Sequence, residues 1–145
     1  MKRKYFFAGL FLILAMFLVG CGGVITPSIN LTGSWTMTNV SGSTVNTSKC
    51  NIIDSSGSLT IYNFYNVGEE YINWNTGYGT FNGSAVSINM SGSYTNIYFQ
   101  TVSIVIYFEG TISSSGISGS GTWVETDTVG GNVYISSGTT ILIKG

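Results

Sequence analysis

Histidine is absent from all 145 residues, and that one absence removes a large part of enzyme chemistry. Ser-His-Asp and Cys-His nucleophile systems need an imidazole to take the proton, and the common zinc sites use it as a ligand. Charge is scarce too, with five Lys and Arg and six Asp and Glu making up 8% of the chain. Beyond Lys2, Arg3 and Lys4 the only cations are Lys49 and Lys144, set against Asp54, Glu69, Glu70, Glu109, Glu125 and Asp127. An acidic balance of this kind lacks the basic face on which nucleic-acid binding depends. Disorder is not implied either, because a chain that is 43% hydrophobic and nearly uncharged has the opposite of a disordered composition. There is one proline, Pro27, and there are two cysteines, Cys21 and Cys50.

The carboxylates are the only acid–base candidates left. Glu69 and Glu70 are neighbours, and on an extended chain neighbours point opposite ways. Glu125 is two residues from Trp123, so strict alternation puts both on one face. If that face is interior, the carboxylate is buried and its pKa rises. A glycosidase needs a second carboxyl about 5–10 Å away, and the sequence supplies no such partner. Asp-rich calcium loops are missing as well. The expectation is a protein without enzymatic activity, metal or cofactor.

What is present begins at the amino terminus. Three cations in the first four residues precede an uncharged run, Tyr5 to Val19, followed by small residues. A basic segment, a short apolar run and a small-residue end make a secretory signal peptide. A spanning helix needs roughly 20 apolar residues, and this run closes too soon. Its last residues, Leu18-Val19-Gly20-Cys21, resemble the lipobox of bacterial lipoproteins. That resemblance implies a diacylglyceryl thioether on Cys21, removal of residues 1–20 and acylation of the new amino terminus. Several acyl chains on one residue give the multiple signals that stable anchoring needs. Gly22 in place of aspartate implies sorting to the outer membrane where the host has two membranes. With Cys21 lipidated, Cys50 is left without a partner and reads as a small buried apolar residue.

Residues 21–30 read as a lipidated tether and residues 31–145 as one domain. No stretch of that domain has helical periodicity; β-branched and aromatic residues alternate with Ser, Thr and Asn instead. In Ala85–Met90 the alternation puts Val86, Ile88 and Met90 on one face. Ile72 and Trp74 share a face in the same way. Ile104 to Phe108 is apolar on both faces, which predicts cover on both sides or a contribution to an interface. Asn82-Gly83, Gly130-Gly131, Ser91-Gly92-Ser93 and three Ser-Ser-Gly triplets (55–57, 114–116, 136–138) read as turns. About eight to ten strands at this spacing predict an all-β, antiparallel up-and-down meander closing into a small barrel, since closure removes exposed edges.

Gly33-Ser34-Trp35 at the first strand resembles the opening signature of lipocalins and related calycin barrels. The resemblance implies that Trp35 packs across the closed end of the barrel, with Gly33 beside it. It also implies an arginine from a late strand over that tryptophan, and this chain has none after Arg3; Lys144 is the only cation so placed. The resulting expectation is a membrane-anchored envelope lipoprotein, a non-enzymatic binding module for a small, mostly apolar ligand, with Trp74, Trp123 and Glu125 as candidate contacts. The alternative is a structural or interaction lipoprotein whose filled barrel meets envelope proteins or glycans.

Overall fold

The computed structural model describes residues 28–145; Cys21 and the leader lie outside them. Nine strands follow one another without a helix: β1 (Gly33–Ser41), β2 (Thr44–Ser55), β3 (Ser58–Asn66), β4 (Asn73–Trp74), β5 (Gly77–Asn82), β6 (Ala85–Thr95), β7 (Thr101–Ile112), β8 (Ser118–Val129) and β9 (Asn132–Lys144). All pairings are antiparallel. β1 pairs with both β2 and β9, so the sheet closes on itself as a barrel of eight strands with one extra strand. That extra strand is short. One edge of β6 is taken along its length by β7, so β4 and β5 share the other edge, end to end. They are one stave of the barrel broken at Asn75 and Thr76.

Tight turns make the meander possible. Ser56-Gly57 and Gly130-Gly131 have both central residues at positive φ (56° and 89°, 57° and 85°), the backbone that two-residue hairpins require. A bulge sits where the β2–β3 register shifts between Lys49 and Asn51, with Asn63 at φ 51°. The extra residue resets the alternation, so that both Ile61 and Phe64 are buried while Tyr62 and Tyr65 stay exposed.

Two expected turns are strand interior instead. Ser91-Gly92-Ser93 lies within β6 and Ser136-Ser137-Gly138 within β9. The glycines there provide room rather than a reversal. A Cβ on Gly92 would stand 2.8 Å from the Trp74 ring, and one on Gly138 would meet the Val40 carbonyl and stand 2.9 Å from Trp123 Nε1. Gly110 and Gly121 make the same space beneath the ring of Phe108. Large side chains thus fill a narrow barrel by lying over glycines of the neighbouring strand. The second face of β7 also differs from expectation: Val105 and Tyr107 are exposed, and no described residue covers them.

The inner face changes character along the axis. At the end where the chain arrives from residue 28, Leu31, Trp35, Leu59, Ile61, Ile88, Phe108 and Leu142 are almost wholly buried. The core begins slightly before residue 31, because Ile29 packs against it. Towards the other end β1 turns inward Asn39 and Ser41, β2 offers Ser48, Asn46 and Thr44, and β8 carries Glu125 and Asp127. Outward positions are mostly Ser, Thr and Asn, the reverse of a membrane-spanning barrel with its apolar outside.

Candidate functional site

The closed end is built around Trp35. Its indole N–H donates to the Leu31 carbonyl at 2.8 Å, so the largest buried side chain leaves no polar atom unmet. Lys144 crosses above it. A Cβ on Gly33 would stand 2.8 Å from Lys144 Cε, while Lys144 Nζ donates to the Asn30 carbonyl at 3.0 Å and stands 6.0 Å from the centroid of the Trp35 ring. The lysine therefore occupies the place over the tryptophan, at the outer reach of a cation–π contact. It also ties the last strand to the incoming chain.

The other end is hollow. A cavity of about 270 Å³ opens between β1, β2, β3, β7, β8 and β9. Its apolar lining is Met37, Phe64, Met90, Ile106, Phe108 and Trp123. Its polar lining includes Asn39, Asn46, Asn66, Glu69, Glu125 and Ser136. Glu125 faces Ile106 on one neighbouring strand and Ser136 on the other, which fixes its side chain inward beside Trp123. Trp74 is not part of that lining. It packs edge-on against Phe64, with ring centroids 4.7 Å apart, over Gly92.

One wall of the cavity is a chain of side-chain hydrogen bonds. Thr140 Oγ1 donates to Asn39 Oδ1, Asn39 Nδ2 to Ser48 Oγ at 2.9 Å, Ser48 Oγ to Asn66 Oδ1 at 2.7 Å, and Asn66 Nδ2 to Glu69 Oε2 at 2.8 Å. Every donor points the same way, from the barrel interior to a carboxylate at the mouth. Such a run polarises along its length, and it lets Ser48 and Thr140 be buried without an unmet polar atom. Glu70, by contrast, turns outward and accepts from the Gly68 amide at 3.1 Å, which holds its carboxyl below the ordinary range.

The facing wall is acidic. Burial, with the negative charges of Asp127 and Glu69 adding to it, pushes Glu125 up to about 7. Burial and Glu69 also raise Asp127, whose Oδ1 is shielded from solvent with no hydrogen-bond partner. No group of three or more Cys, Asp and Glu that could hold a metal occurs among the described residues. Residue spacing pointed to Trp123 and Glu125 on one inner face, and they line one cavity. Asn39, Ser48, Asn66, Glu69 and Thr140 were not singled out. Their signal was available, since along β1 the inward positions run Trp35, Met37, Asn39, Ser41, from apolar to polar. Comparison with protein families, with curated proteins and with solved structures finds no match.

Proposed function

We propose that this protein is a lipid-anchored barrel of the bacterial envelope that holds a small ligand in the cavity at its open end, without catalysing a reaction. One observation carries the reading: the interior is filled where the chain arrives from the tether and hollow at the opposite end. An anchor at Cys21 then places the mouth away from the membrane, free to sample the periplasm if the host has an outer membrane. Trp123 and Glu125 are the contacts within that mouth, while Gly33 and Trp35 seal the far end. The lining supports a narrower ligand than the mostly apolar one expected, since it offers rings and hydrogen-bonding groups side by side. An apolar cavity of about 150 Å³ holds a benzene, so about 270 Å³ suits one ring with a short polar arm.

The mature protein in nanodiscs can be titrated with fatty acids, single-ring aromatics and short glycans while tryptophan emission is followed. Saturable quenching by a single-ring compound, lost in Trp123→Ala, is the expected result. Response to none of them would leave the second reading, an interaction protein. That reading draws on the rim loop between β6 and β7, where Ile97 and Phe99 are 85% and 92% exposed.

A further inference from the structure

The cavity has a surplus of hydrogen-bond acceptors and of negative charge that the chain itself does not answer. Glu125 and Glu69 line it from opposite walls, and Asp127 stands two residues further along the inner face of β8. The amide donors nearest to them are already engaged, because Asn39 donates to Ser48 and Asn66 donates to Glu69 itself. Trp123 Nε1 lies over Gly138. Among the described residues there are two cations, and neither is near. Lys49 is exposed on the outer face of β2, and Lys144 is held at the closed end by the Asn30 carbonyl. Asp127 Oδ1, out of reach of solvent, accepts from nothing. Meanwhile Phe64, Phe108 and Trp123 present aromatic surface to the same space, and ring faces attract cations as carboxylates do.

We infer that the cavity takes a small organic cation, an amine with one aromatic or compact aliphatic group, its nitrogen set between Glu125 and Glu69 and its apolar part against the aromatic rings. This rests on the small-ligand reading and names the class of ligand. Ammonium hydrogens supply the donors that the acidic wall lacks, and the charge offsets two carboxylates that otherwise repel each other. Glu125, raised by burial, Asp127 and Glu69, carries a proton in part of the empty molecules near neutral pH. An arriving cation favours its ionised form, so binding releases a proton. From the strands beside Glu125 the facing groups are Ile106 and Ser136, neither of which titrates.

The test uses the mature protein in nanodiscs with benzylamine and its uncharged counterpart of similar size, benzyl alcohol. Calorimetry is run near pH 6.5 in two buffers of different ionisation enthalpy. Benzylamine is expected to bind at least about tenfold more tightly than benzyl alcohol, a difference of about 1.4 kcal/mol, and to release a fraction of a proton. Glu125→Gln should abolish the proton release and most of the preference while still binding the alcohol. Glu69→Gln, at the loop, should weaken the preference with the proton release retained. Equal affinity for the two probes would overturn the cation assignment and leave the small-ligand reading standing. Binding of neither by the folded wild-type protein would remove both.

Discussion

Cys50 shows what burial does to a reactive group. It is 4% exposed, faces the barrel interior opposite Trp35, and burial pushes its thiol up to about 12. The thiolate is the nucleophile, so a maleimide should leave it unlabelled over hours in the native protein and label it at once in urea. Rapid native labelling, read by mass spectrometry, would contradict the burial. Glu125 shows the opposite case, a charge that the fold tolerates at a cost. Its carboxyl sits at an ordinary 4.5 in the unfolded chain and at about 7 in the fold. A group that binds protons more tightly when folded contributes stability fully below about pH 4.5, and loses that contribution as pH rises through about 7. The whole shift corresponds to about 3 kcal/mol, and solvent reaching part of the side chain reduces the expected effect to about 1–2 kcal/mol. Glu125→Gln should therefore be more stable than wild type by that amount near pH 8. Urea unfolding at about pH 5 and pH 8 checks it; parallel changes in the two proteins would refute it. Spacing from Trp123 made this residue visible in the sequence. Its neighbours Glu69 and Asn66 were not, because a loop and a bulge bring them there and neither has a period to read.

At the scale of elements, alternation was the legible part and the glycines were the ambiguous part. Val86, Ile88 and Met90 do face inward from β6, and Ile72 and Trp74 share the inner side. Yet Gly-containing triplets that look alike serve two purposes. Ser55-Ser56-Gly57 reverses the chain, whereas Ser136-Ser137-Gly138 runs straight through β9 beneath Trp123. The difference lies in what stands across the barrel wall, which no local window contains. It has a measurable consequence. Gly138→Ala drives a Cβ into the Val40 carbonyl, and overpacking of this kind costs about 1–3 kcal/mol, readable as a lower midpoint in urea. Gly131→Asn, at an open turn with nothing within 4 Å, should change stability far less, since asparagine tolerates the same backbone. A midpoint unchanged in Gly138→Ala would mean that β9 can move away from β1.

For the molecule as a whole, closure into a barrel followed from the count of strands and turns, while the division into a filled half and a hollow half did not. Trp35→Ala should remove roughly 3–5 kcal/mol, a large share of a domain stability of about 5–15 kcal/mol, and expose the filled end without touching the cavity lining. The proposed anchor is tested separately: Cys21→Ser should accumulate as unprocessed precursor, and mass spectrometry of the wild-type amino terminus should find a lipidated Cys21. An unmodified first residue, or a start elsewhere, would end the lipoprotein proposal. The broken stave gives the wall a mechanical asymmetry. β3 pairs with β5 only over Ser58–Ile61, and from there to the mouth its neighbour β4 meets it through the edge-on rings of Phe64 and Trp74 rather than a ladder of backbone bonds. A hoop yields at its weakest joint. Widening the mouth there parts two rings and breaks no ladder hydrogen bond, so the barrel has a hinge line beside the cavity while the remaining seams stay laced.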